Sequence, residues 1–227
     1  EAVSEILDNF PSLSSMAREV GKLYDDKILA KLLVAKIYNK EAIAISDFDG
    51  TLFHKTDPER TKLNIEEFKQ FPVRVICSAR SIDDLLYQLK LNDLKVDWII
   101  GYSGGVVADG DGNILWTVPL VLNASASEEL LISEANKIKI NNQLLQLAIP
   151  ANLLPDNCIT RRYKLRFEIY ENIAYIANYE ASKLHAIHKL LKYINWSGQI
   201  KVFGDSRYDM EMINYFDGIR VRGGNYD

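Results

Sequence analysis

Cysteine is scarce: only Cys77 and Cys158 occur in 227 residues, and neither stands in a C-x-x-C pair or a Cys/His cluster. A disulfide framework or a zinc site therefore has little support. No apolar run reaches the ~18 residues of a membrane-spanning helix. Excess positive charge is also missing. With 27 Lys+Arg against 31 Asp+Glu the net charge is −4, so there is no global pull toward a phosphate backbone and nucleic acid is not an expected partner. The chain opens without a basic region followed by an apolar block. Since position 1 is Glu and not Met, that absence carries little weight, and a cytoplasmic location is only the default expectation.

What is present is an ordinary globular composition, 48% hydrophobic and 26% charged, which disfavours disorder and fibrous repeats. The length allows one core with an inserted or appended piece. Residues 1–41 read as a helical extension, with Ile28, Leu29, Leu32, Leu33 and Ile37 on one stripe and lysines elsewhere. Such a face can lie on a membrane, but docking on its own domain is the expectation. Ala42 to Ser46 is a short apolar strand that stops at an acidic turn. Val73 to Cys77 is a second, and Ser81 then caps a helix with Ile82, Leu85, Leu86 and Leu89 inward. Val96 to Ile100 and Gln199 to Phe203 are further strands. Strands alternating with helices imply an α/β, doubly wound parallel sheet, with polar residues gathered past the strand ends.

Between about 114 and 180 the rhythm changes. Ser125 and Glu128 suggest a capping box for a long helix running toward Ile149. Two strands then meet at Glu171-Asn172. In the first, Leu165, Phe167 and Ile169 alternate with Lys164, Arg166 and Glu168, which predicts one buried and one open face.

The chemistry concentrates in acids. Asp47-Phe48-Asp49-Gly50-Thr51 follows the first strand, and Gly50 supplies the backbone freedom to turn the second carboxylate toward the first. Asp205 and Asp209 lie four apart where the last strand enters a helix, spaced to face one point. Taken alone these are an Asp-Gly turn and an acidic helix start. Four converging carboxylates would repel, and a hard divalent ion such as Mg²⁺, which takes oxygen ligands and phosphate, relieves that.

These residues resemble the haloacid dehalogenase superfamily of phosphotransferases, which carries four motifs in this order. Asp47-x-Asp49-Gly50-Thr51 is similar to the first, Ser78 to the second, Lys183 to the third, and Asp205 with Asp209 to the fourth. The resemblance implies that Asp47 is the nucleophile, forming an aspartyl-phosphate. It implies that Asp49 is the general acid and base, and that Thr51, Ser78 and Lys183 bind phosphate. Asp47, Asp49, Asp205 and Asp209 would hold Mg²⁺. Only 30 residues lie between Asp47 and Ser78 but 102 between Arg80 and Lys183, so an inserted cap follows the second motif, as in the type IIB phosphatases. The implied organisation is a helical extension over 1–41, a core over 42–113 and 181–227, and an α/β cap over 114–180.

His54, Arg162, Lys164 and Arg166 are candidates for substrate contact, weighed against a solvated charged surface. Two departures stand out: Tyr208 occupies the place of a usual Asn before the last acid, and Ser103-Gly104-Gly105 replaces a usual Asn-Gly. The implied activity is Mg²⁺-dependent hydrolysis of a phosphate monoester, with a sugar or metabolite phosphate as substrate. Alternatives are a phosphotyrosyl protein, as for secreted bacterial effectors with this core, a phosphomutase, and an inactive binding module.

Overall fold

The computed structural model describes residues 42–129, 135–154 and 161–221. The helical extension expected over 1–41, with its membrane alternative, lies outside the described residues, as do Cys158, Pro155 and the Gly223-Gly224-Asn225 end. Among the described residues, no helix is long and apolar enough to cross a membrane. The chain divides into two compact units, one reaching Arg74 and resuming at Ser197, the other spanning Val75–Trp196.

In the first unit β1 (Ala42–Ser46) is buried along its whole length. That explains why its sequence is uniformly small or apolar instead of alternating. It pairs in parallel with β10 (Gln199–Gly204), Ala42 opposite Gln199 and Ser46 opposite Phe203, and β10 pairs in parallel with β11 (Ile219–Arg220). Helix α1 (Pro58–Lys69) begins where the Asp57 side chain accepts from Arg60 N at 2.9 Å, with Pro58 in its first turn. Its inward Ile65 and Phe68 are buried, and Phe68, Phe71 and Phe203 form a chain of ring contacts.

In the second unit β2 (Val73–Cys77) feeds α2 (Ile82–Leu91), whose N-cap is Ser81 as the spacing predicts, its hydroxyl accepting from Asp84 N. β3 (Trp98–Gly101) lies parallel to β2, and β4 (Val106–Asp109) and β5 (Ile114–Thr117) add antiparallel strands. The architecture is thus α/β with a mixed sheet. Helix α4 (Lys183–Tyr193) is capped by Ser182, which accepts from His185 N. Cys77, the last residue of β2, is buried core.

The long helix expected from Ser125 toward Ile149 is not formed. Helix α3 covers Ala124–Glu129, and Asn123 Oδ1 caps it by accepting from Ala126 N at 2.8 Å. β6 (Asn136–Ile140) and β7 (Gln143–Pro150) follow as an antiparallel hairpin. Its two-residue turn, Asn141-Asn142, has both residues in the left-handed region, φ 48 and 63. Asparagine tolerates that conformation and the primed turn it makes matches strand twist. The alternation of Lys137, Ile138, Lys139 and Ile140 carried the strand signal. With β8 (Leu165–Tyr170) and β9 (Ile173–Asn178) these strands build a four-stranded antiparallel sheet ordered β6-β7-β9-β8. One face packs Leu147, Ile149, Leu165, Ala174 and Ile176 with Leu120 and Ala126. The open face expected for β8 is open only in part, because Glu168 is buried.

Candidate active site

The end of β1 is fastened to β10 by Asp47 N, which donates to Phe203 O at 2.9 Å. The chain then folds back. Leu52 N and Phe53 N both donate to Phe48 O, Gly50 at φ 77 donates to Phe53 O, and the Phe48 and Phe53 rings stack at 5.5 Å. Parallel pairing of β1 with β10 brings the next turn alongside. Asp47, Asp205 and Asp209 are all buried, and one carboxylate oxygen from each lies within 4.8 Å of the others. Asp49 is half-buried in the loop, bridging Phe53 through its backbone.

Each carboxylate is oriented by neighbours. Thr51 Oγ1 donates to Asp205 Oδ1 at 3.1 Å. Asp209 Oδ2 accepts from Ser206 N at 2.9 Å, Ser206 Oγ at 2.8 Å and Asp205 N at 3.2 Å. Ser206 and Asp209 form a capping box around the short turn Arg207–Asp209 that precedes α5 (Met210–Tyr215). Asp209 therefore does serve the helix start, and it still presents an oxygen to the cluster. Sequence reading passed over Ser206, although the S-x-x-D spacing announces the box. Three carboxylates this close and this dry repel unless protons or a cation intervene. An all-oxygen donor set of carboxylates suits a hard ion such as Mg²⁺, so the residues fit the metal.

His54 is buried in the same unit. Its Nε2 lies 3.2 Å from Thr51 O and 3.1 Å from Asn64 Nδ2, and Asn64 Nδ2 also donates to Thr51 O at 2.7 Å. Burial first, and then the Arg60 guanidinium, hold the imidazole below its ordinary value.

Ser78 and Lys183 belong to the second unit. Both are buried. They are linked through the 3-10 turn Tyr102–Gly104 that follows β3. Ser103 N donates to Ser78 O at 3.0 Å, and Gly104, at φ 103, approaches the start of α4 so closely that a Cβ would sit 2.2 Å from Ser182 O. A side chain there is excluded both by contact and by backbone conformation. Of the three basic candidates, Arg166 Nη2 is engaged with Glu168 Oε1 at 2.8 Å. Lys164 is exposed at φ 52 just before β8, and Arg162 is exposed. His185 and His188 lie on the exposed face of α4.

Residues 120–222, which include Lys183, Asp205 and Asp209, match the family model of haloacid dehalogenase-like hydrolases. That segment is haloacid dehalogenase-like in sequence. The resemblance read from the motifs is borne out, and the HAD-like fold extends well beyond the matched segment. A solved subclass IIB sugar phosphatase of the superfamily superimposes with TM-score 0.59 at 12% identity, over 79% of this chain and 86% of that one. A HAD phosphatase from Bacteroides thetaiotaomicron gives 0.57 at 14%, over 76% and 80%. A HAD-like hydrolase from B. subtilis gives 0.55 at 17%, over 79% and 88%. No curated protein matches the sequence.

Proposed function

We propose that this chain is a Mg²⁺-dependent phosphatase that hydrolyses a phosphate monoester of a sugar or other small metabolite. The observation that carries the reading is the buried triad of Asp47, Asp205 and Asp209, with oxygens mutually within 4.8 Å. In water-poor surroundings such a cluster has a use for a divalent cation and, with it, for a phosphate dianion. When bound, Mg²⁺ supplies charge neutralisation of the phosphoryl oxygens. Asp47, Asp205 and Asp209 would hold it, together with Asp49.

Asp47 attacks the phosphorus and the ester bond breaks, leaving an aspartyl-phosphate; water then releases inorganic phosphate and restores the carboxylate. Asp49 gives its proton to the departing alkoxide and takes one from that water. Thr51 orients Asp205 through its hydroxyl and, next to the acids in the same loop, is assigned to phosphate binding. Ser78 donates a hydrogen bond to the transferring group, and Lys183 balances its charge from a desolvated position, where a compact ammonium acts strongly. The segment 114–180 serves as the cap over a core of 42–113 and 181–227. Lids of this kind exclude water and select substrates.

The small-molecule reading is supported by the sugar phosphatase among the similar structures and by Arg166, whose charge is neutralised within its own strand by Glu168. Asp47→Asn tests the chemistry. Turnover of p-nitrophenyl phosphate and of a sugar-phosphate panel should fall by ~10³ or more, with circular dichroism unchanged and Tm not lowered. Retained turnover rules Asp47 out as nucleophile. Phosphotyrosine peptides in the same panel test the alternative substrate class, and a higher kcat/KM on them than on any sugar phosphate overturns the small-molecule reading.

A further inference from the structure

The second unit buries an acid that the roles above leave without a task. Glu168 on β8 is 4% exposed. Its carboxylate accepts from three donors: Ser103 Oγ in a short hydrogen bond, Tyr170 Oη at 2.8 Å and Arg166 Nη2 at 2.8 Å. Arg166 and Tyr170 are on its own strand, and Arg166 offsets the cost of a buried charge. Ser103 stands 65 residues earlier, in the turn after β3. Gln146 of β7, also buried, donates to Tyr102 O of the same turn at 3.3 Å. Two strands of the antiparallel sheet therefore hold one turn of the core through polar groups.

That turn is constrained from its other side by Ser78 and by the start of α4. Ser103 N donates to Ser78 O, and Gly104 packs on the Ser182-Lys183 peptide. Tyr102 and Ser103 both adopt left-handed backbone, φ 52 and 55. This costs about 1–2 kcal/mol for a residue with a Cβ, and it persists where surrounding contacts impose it. Burial, with the Glu168 carboxylate next, pushes the Tyr170 hydroxyl far above its ordinary range, while the Lys183 ammonium pulls it back. Lys183 thus shares an electrostatic neighbourhood with the cluster.

We propose that Glu168 is a positioning residue for the phosphoryl-binding pair Ser78 and Lys183, acting through the Ser103 hydroxyl and the left-handed turn it stabilises. The proposal rests on the assignment of those two residues to the phosphoryl group. In this role Glu168 acts through the turn, its carboxylate being engaged by Ser103, Arg166 and Tyr170. It holds the turn against which the Ser78 backbone and the first residue of α4 are set, so its loss misplaces both donors together.

The test compares wild type with Glu168→Ala, Glu168→Gln, Ser103→Ala and the double alanine variant. Binding of inorganic phosphate in the presence of Mg²⁺ is measured by calorimetry, hydrolysis of p-nitrophenyl phosphate by kinetics, and Tm alongside. Misplacement of binding groups makes Glu168→Ala weaken phosphate and lower kcat/KM by about tenfold. Ser103→Ala should do the same, and the double variant should be no worse than either single one, because both act through one contact. Glu168→Gln should stay within about threefold of wild type, since its carbonyl can still accept from Arg166 and its amide can donate to the two hydroxyls. A Glu168→Ala protein with lowered Tm but wild-type phosphate affinity and kcat/KM overturns the proposal. So do additive single effects, a Gln variant as impaired as Ala, or a wild type that binds no phosphate. If Glu168→Ala fails to fold, Ser103→Ala against Glu168→Gln carries the comparison. Turnover that survives Asp47→Asn sinks only the nucleophile, because phosphate affinity is read separately.

Discussion

His54 illustrates how a residue singled out for one task is built into another. Its ring bridges the Thr51 carbonyl and the Asn64 amide, so it ties the acidic loop to α1. Its pKa lies below the ordinary 6.5, by burial and then by Arg60. The unfolded chain therefore takes up this proton first as pH falls below ~6.5, and the fold loses stability from there downward to the folded value. Above that range the group contributes no pH dependence. Urea titrations between pH 7.5 and 5 should show a shallower loss in His54→Gln than in wild type, and parallel curves would contradict the linkage. At this scale the acids were legible because their side-chain chemistry is unusual at those spacings. Glu168 was not, because its burial depends on a serine 65 residues away, and a lone Glu on a strand otherwise reads as solvent-facing.

The hairpin of β6 and β7 shows where element-level reading went astray and why. Ser125 and Glu128 carry a plausible helix-start pattern, and a short helix does form there, but nothing in a start signal tells a helix how far to run. The stop and the reversal were written in the period-two alternation of Lys137 to Ile140 and in the Asn141-Asn142 pair. The strand at Ala42 was legible because a parallel strand covered on both faces needs a continuous apolar run, and those at Val73 and Gln199 because their second halves turn apolar where they are buried. Asn142 is exposed at φ 63, so Asn142→Gly should relieve the residual left-handed cost and stabilise the protein by about 0.5 kcal/mol. Calorimetry should register a Tm higher by roughly 1–2 °C. A lower Tm would mean that the asparagine side chain itself supports the turn.

For the molecule as a whole, the acidic cluster joins parts of the chain that are remote in sequence: Thr51 and Asp205, in direct contact, are 154 residues apart. A cation held by Asp47, Asp205 and Asp209 would bind the folded chain and not the unfolded one. Stability should then rise with Mg²⁺ as mass action requires, by about 2.7 kcal/mol at a hundredfold excess over Kd. Thermal shift in EDTA and then in increasing Mg²⁺ measures this. Asp205→Asn should raise the Tm of the metal-free protein by relieving repulsion, and should abolish most of the Mg²⁺ response. A Tm indifferent to Mg²⁺ in wild type would remove the charge-balance argument.

The amino-acid order alone determined the alternation of strands and helices and which acids close two of the strands, because apolar runs and carboxylate spacing are local properties. Convergence of Asp47 with Asp205 was decided by parallel pairing of β1 with β10, a long-range event that no local pattern encodes. Tertiary structure also decided that Glu168 is an interior group and that Gly104 must be bare. Burial and close backbone approach are set by what arrives from elsewhere in the chain.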